Sequence, residues 1–261
     1  MVKRCIYVQL ICILISCSMP LIAQASTTEI SIGSAISSFT YHESEMEEKG
    51  ILTGIHGYIA IHQQWMMRLD GSLVSGNVNY SSTDTGSMSD IPDYIFEIRG
   101  LTGPDIYTGN WRITPYTGLG YRYLNDNSAY RTTSTDDSGY EREQSYTYLP
   151  VGIIFHSFGY HWATTTQLEI DILLRGENHT RLGTIPGYNN LSFHQTKGTG
   201  ARASLTLTRR VKWGPIKGLA LMPYIKYWNI NASNDVRQGD EYYYEPHKHS
   251  TEYGISFLLT V

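Results

Sequence analysis

Cysteine is nearly absent from this 261-residue chain: its three copies, Cys5, Cys12 and Cys17, all lie close to the start. No disulfide framework is therefore available to the rest. Charge is scarce as well, at 17% of residues against the roughly 25% usual for soluble domains. The net charge of −4 gives no electrostatic reason to expect a nucleic-acid partner. Only one long apolar run exists, at the N-terminus, and the mean hydropathy is −0.27. A bundle of membrane helices, each needing about 20 apolar residues, is excluded. Beyond residue 26 a convincing helical period is missing too. What is plentiful is aromatic: Tyr contributes 21 residues, aromatics as a whole 12%, and Gly 24 residues. Such a composition argues against disorder and reads as β.

The N-terminal run fits a secretory signal over residues 1–25, with Lys3 and Arg4 as its basic start and Ala23-Gln24-Ala25 as a small-x-small cleavage site. Leu14-Ile15-Ser16-Cys17 offers the alternative of lipidation at Cys17. With cleavage after Ala25, 18 basic residues face 24 acidic ones in a single domain, 26–261.

Alternation with a period of two recurs along that domain and predicts ten strands. It is clearest over 50–62, 94–102, 111–124, 140–155, 165–175 and 251–261, and weaker over 28–41, 65–81, 197–210 and 219–232. In the clear segments one face is apolar, as in Leu168, Ile170, Ile172 and Leu174, and the other carries charge, as in Glu169, Asp171 and Arg175. Polar connections at 42–49, 82–93, 125–139, 176–196 and 233–250 alternate with short ones around Gln63-Gln64, Gly109-Asn110, 156–161 and 211–218. That alternation predicts a closed antiparallel transmembrane β-barrel of ten strands, with short turns on one side and long external loops on the other.

A soluble sandwich also alternates, so the ends of the strands discriminate. Tyr41, Trp65, Tyr80, Tyr94, Trp111, Tyr121, Tyr123, Tyr140, Trp162, Trp213, Tyr227 and Trp228 cluster there, where amphipathic rings meet lipid headgroups. Glu252-Tyr253-Gly254-Ile255-Ser256-Phe257-Leu258-Leu259 resembles the terminal-strand signal by which outer-membrane barrels are recognised by the insertion machinery; Leu259 and Val261 stand where an aromatic is usual. Pro115, Pro150 and Pro223 fall inside predicted strands, each expected near a short-turn end, where the lost hydrogen bond is tolerable.

The inward faces then carry Arg68, Asp70, Glu97, Arg99, Arg112, Arg122, Arg142, Glu169, Asp171, Arg175, Arg202, Lys226 and Glu252. Ten strands are far fewer than the 16 to 18 that hold an open channel. The expectation is a lumen plugged by paired charges, because unpaired charge away from water is costly; a narrow porin-like pore for small solutes is the alternative. The loops offer Glu43, Glu45, Glu47 and Glu48, then Asp126, Asp136 and Asp137, all read as solvated. His247 and His249 share one side of a strand-like segment and are weak candidates for a divalent cation. No cofactor and no catalytic residue is predicted. The ten-stranded proteases of the omptin family use an Asp-x-His pair, and this chain contains none; Glu177-Asn178-His179 and Glu245-Pro246-His247 are the nearest approximations to a surface hydrolase.

Several stretches resemble a set of small, largely uncharacterised outer-membrane β-barrel proteins of Gram-negative bacteria: Thr114-Pro-Tyr-Thr-Gly-Leu-Gly-Tyr-Arg-Tyr-Leu-Asn-Asp126, Tyr146-Thr-Tyr-Leu-Pro-Val-Gly152, Tyr227-Trp-Asn-Ile230, and Glu245-Pro246 followed by Thr251-Glu-Tyr-Gly254. The resemblance implies a barrel in the outer membrane and supplies no active site to carry over; the expected partners are the lipid and lipopolysaccharide of that membrane, with the barrel a monomer.

Overall fold

The computed structural model describes residues 26–261; the predicted signal and Cys17 lie outside the described residues. Ten long antiparallel strands close into a barrel. They are β1 (Thr27–His42), β2 (Met46–His62), β3 (Trp65–Ser82), β4 (Gly86–Pro104, resuming as Ile106–Thr108 after Asp105), β5 (Trp111–Asn127), β6 (Glu141–Phe158), β7 (Trp162–Arg181), β8 (Leu191–Gln195 and Gly198–Trp213), β9 (Ile216–Ile230) and β10 (Lys248–Thr260). The two pieces of β8 keep one register against β7, since Gln195 faces Gly176 and Thr199 faces Ile172. Pairing of β1 with β10, from Ser31 against Thr260 to His42 against His249, closes the sheet and leaves no edge.

Side chains alternate outward and inward along each strand. Ile30, Ile32 and Ile36, then Ile51, Ile55, Ile59 and Ile61, then Leu168, Ile170 and Ile172 stand exposed on the outer face. This apolar belt covers about nine to eleven residues per strand, the length that crosses a hydrocarbon core. Four of the five tryptophans, Trp65, Trp111, Trp162 and Trp213, rim it at the short-turn end, and Tyr94, Tyr121, Tyr227 and Tyr253 rim it at the other. Tyr41 and Trp228 depart from the expected girdle: both are buried inside the barrel, and Tyr80 packs on an interior cluster.

Two of the polar segments expected as loops, 42–49 and 82–93, are mostly strand. Their tips are only 43–45 and 83–85, and the strands run well past the belt. The outward residues there are polar, Ser38, Thr40 and His42 on β1 and Asn77, Asn79 and Ser81 on β3, so hydrophobicity ends before the hydrogen-bonded ladder does. True loops span 128–140, 182–190 and 231–247, the last holding a small hairpin of Val236–Gln238 with Glu241–Tyr243.

The three prolines expected inside strands, Pro115, Pro150 and Pro223, sit where the ladder lapses on one side. Opposite Pro150 the β5–β6 pairing skips Gly118 and Leu119, and the Thr117 hydroxyl donates to the Pro150 carbonyl at 3.0 Å. Pro223 faces a gap at Leu205 and Thr206, and Pro115 faces the break around Asp105. Their height corrects the sequence reading. Pro150 pairs with Asp171 at the middle of the barrel and Pro223 lies seven residues above the start of β9, so neither is at a short-turn end.

Candidate functional site: a charged layer across the lumen

The interior is layered. Apolar clusters fill it toward the loops, with Phe39, Leu52, Val78, Ile91 and Ile95 on one side and Tyr146, Leu173, Trp228 and Ile230 on the other. A smaller group, Met66, Leu101, Tyr116 and Ile154, lies toward the short turns. Between them, at the level of the membrane belt, runs a chain of alternating charges. Arg68 holds Asp70 at 2.7 Å, Asp70 meets Arg99 at 3.4 Å, and Arg99 holds Glu169 at 2.6 Å. Glu169 holds Arg202 at 2.6 Å, and Arg202 reaches Glu97 at 2.8 Å. Glu97 meets Lys226 at 3.4 Å, Lys226 meets Glu252 at 3.5 Å, and Glu252 meets Arg122 at 3.7 Å. Asp171 joins through Arg202 at 3.0 Å. Five cations thus face five carboxylates, the condition for keeping ions in a low-dielectric interior.

The links cross the lumen. Lys226 on β9 reaches Glu97 on β4, and Glu252 on β10 reaches Arg122 on β5; each pair sits five strands apart in a ring of ten. Three tyrosines complete the layer. Tyr116, Tyr148 and Tyr224 give their hydroxyls to Glu169, Glu97 and Glu252 at 2.6, 2.7 and 2.9 Å. All three rings lie against glycines on the neighbouring strand: a Cβ on Gly120 would come within 2.2 Å of the Tyr148 ring, one on Gly254 within 2.2 Å of Tyr224, and one on Gly152 within 2.5 Å of the Tyr116 ring. Absence of a side chain there lets each ring lie flat and point its hydroxyl at a carboxylate.

Of the predicted inward charges, Arg112 lies nearer the short turns, 3.8 Å from the buried Asp105, whose carboxylate also takes His62 at 2.8 Å. Arg142 stands above the layer, toward the loops. Arg175 is corrected. A bulge between Thr147 and Tyr148, opposite Leu173 and Arg175, shifts β7 by one residue there. Leu174 and Arg175 consequently both point outward, and the Arg175 side chain is 67% exposed, paired with Glu177.

His247 and His249 lie on the outer face rather than in the lumen. His247 Nε2 bonds Asn229 at 2.6 Å, and the His249 ring stacks on His42 with centroids 4.8 Å apart. Among the described residues no group of three or more His, Cys, Asp or Glu is arranged to hold a metal ion.

The sequence reading missed a second group at the loop end. Arg142 Nη1 holds Glu43 at 2.9 Å, while Nη2 holds both Glu48 and Asp126 at 3.0 Å. Glu48 and Asp126, taken from sequence as solvated loop residues, are buried. The usable signal was phase: Glu48 continues the inward alternation of Leu52 on the same strand. These groups lie beyond the belt. Burial and the nearby Asp126 push the Glu48 carboxyl well above the usual carboxylate range, and the same two causes raise Asp93 to about 8.

Comparison with protein families and with curated proteins finds no match. Among solved structures, the chain is similar to the outer membrane protease OmpT from Escherichia coli, at 10% identity and a TM-score of 0.61, covering 90% of this chain and 95% of that one. The translocator domain of autotransporter NalP from Neisseria meningitidis aligns over 91% of this chain and 90% of its own, at 12% identity and a TM-score of 0.42. At such identities the likeness to OmpT is one of fold: this chain has the closed ten-stranded barrel architecture of outer-membrane β-barrel proteins.

Proposed function

We propose that this chain is an integral outer-membrane barrel whose lumen is closed to solutes by the charged layer, and that it serves a structural or interaction role through its loop end. The observation carrying this reading is the unbroken run from Arg68 to Arg122, nine side chains alternating in sign across the lumen. Beside it the lumen leaves a cavity of about 50 Å3, room for a few waters. In this reading the short turns face the periplasm and the loops the exterior. The belt contacts lipid and lipopolysaccharide, β10 serves the insertion machinery, and the barrel works as a monomer.

OmpT is a protease, but fold alone does not transfer chemistry. Toward the loops, His42 with Glu47 at 3.0 Å, Glu177 with His194 at 3.7 Å and His179 with Ser192 at 2.9 Å sit on the outer wall rather than in a cleft, and the tighter pair of His62 with Asp105 at 2.8 Å lies at the short-turn end. Fractionation of Gram-negative envelopes together with liposome swelling in small sugars tests the proposal. The expected result is protein in the outer-membrane fraction and liposomes that do not swell; soluble protein, or swelling with sugar influx, overturns it.

A further inference from the structure

At the loop end, the tips of the β1–β2 and β3–β4 hairpins and the 128–140 loop enclose a cavity of about 200 Å3. The loop is tied down over it: Arg131 donates to the Asp90 carbonyl at 2.8 Å and the Ser134 amide to the Ser87 carbonyl at 2.9 Å. Part of the lining is ionic. Glu43, Glu48 and Asp126 share the single guanidinium of Arg142 and Asp137 also lines the cavity, so carboxylates outnumber cations four to one. The sharing is incomplete. Glu48 is 2% exposed and its Oε2 has no hydrogen-bond partner; Asp126 is 4% exposed and its Oδ1 has none. Buried carboxylate oxygens left in that condition cost free energy unless a proton or another cation meets them.

The rest of the lining says which kind of cation fits. Met46, Met88 and Ile91 contribute apolar side chains, and Tyr80 and Tyr140 aromatic ones. Calcium needs six to eight oxygen ligands, and no carboxylate group here is arranged as a metal site. Thioethers and aromatic rings instead accommodate an alkyl stem and attract an organic cation.

We propose that this cavity binds a small organic cation, a primary ammonium or guanidinium on an apolar stem. Its charge sits among the Glu43, Glu48 and Asp126 carboxylates grouped around Arg142, and its stem lies on Met46, Met88 and Ile91. Binding competes with protons. Glu43, Glu48, Asp126, Asp137 and Arg142 line the site, Asp93 stands behind Asp126, and the Glu48 and Asp93 carboxyls both hold protons more tightly than ordinary carboxylates. Affinity therefore rises with pH. This site is independent of whether the lumen below it conducts.

The test is calorimetric titration of the detergent-solubilised 26–261 barrel with n-pentylammonium chloride, against n-pentanol and an empty-micelle blank. Expected are saturable binding of the ammonium at pH 8, at least tenfold tighter than pentanol, and at least tenfold weakening at pH 5. The E48Q/D126N variant, confirmed folded by circular dichroism, should lose binding by a similar factor; D126N alone serves if the double variant does not fold. Equal binding of pentanol and pentylammonium overturns the proposal, as does unchanged binding in the variants. Saturation by calcium chloride with no response to pentylammonium also overturns it, in favour of an inorganic ion.

Discussion

The charged layer in mid-barrel and the acidic group at its mouth are built from the same residue types and differ in balance. In the layer five cations meet five carboxylates, and Tyr116, Tyr148 and Tyr224 supply further donors. At the mouth one guanidinium serves three carboxylates, with Asp93 behind them lacking any partner on either oxygen. Burial is similar in both, so depth does not explain the difference. A balanced network keeps its buried ions paired; an unbalanced one next to a cavity is left able to take up a proton or a cation.

Substitutions separate the two by sign. The largest effect is expected at Arg202, which meets Glu97, Glu169 and Asp171. Arg202→Met leaves those carboxylates without their main cation and should destabilise the barrel by about 3–5 kcal/mol, read as a lowered urea midpoint in detergent. Next, Gly120→Ala drives a methyl into the Tyr148 ring and should cost about 1–3 kcal/mol through overpacking; it also turns the tyrosine hydroxyl away from Glu97.

At the mouth the sign reverses. Glu48→Gln removes one of three carboxylates crowding Arg142 and should stabilise the protein at pH 8, with little gain at pH 5. The pH profile of the wild type follows the same logic. Groups whose folded pKa lies above the unfolded value hold protons that the unfolded chain releases, so stability falls as pH rises between them. Asp93, at about 8, and Glu48 therefore contribute less stability as pH rises from about 4 to 8, so the urea midpoint of Glu48→Gln should gain on that of the wild type across this window. A difference that shrinks as pH rises would show that the carboxylates are fully compensated. The smallest effect is expected at Arg175→Gln, an outward side chain beside exposed Glu177, which should move stability by under about 0.5 kcal/mol. A large loss there would place Arg175 back in the lumen.

The barrel itself was readable because period-two alternation keeps its phase over most of each strand: the outward rows Ile51 to Ile61 and Leu168 to Leu174 stand where alternation puts them. Phase is also where reading fails. One bulged residue on β7 carried Arg175 to the other face, and no propensity marks that bulge. Loop boundaries were misjudged for a different reason. Outward residues turn polar where the strand leaves lipid, yet Glu47 and Lys49 remain in a ladder that needs no hydrophobicity. Inward apolar residues such as Ile91, Ile95 and Leu124 blur the two faces near the loops, which hid the interior clusters. The individual charges of the mid-barrel layer were visible in the chain, whereas their cross-lumen partners follow only from closure, since Arg122 and Glu252 are neighbours solely because β5 and β10 face each other.

The central claim is that alternating charge closes the lumen, and planar-bilayer recording of the refolded barrel tests it most directly. The wild type should show no conductance steps. Glu97→Ala with Arg202→Ala removes one cation and one carboxylate from the middle of the chain, opens space and keeps the net charge, and should introduce steps whose size grows with salt. A conducting wild type, or a double variant that inserts and stays silent, would contradict the account.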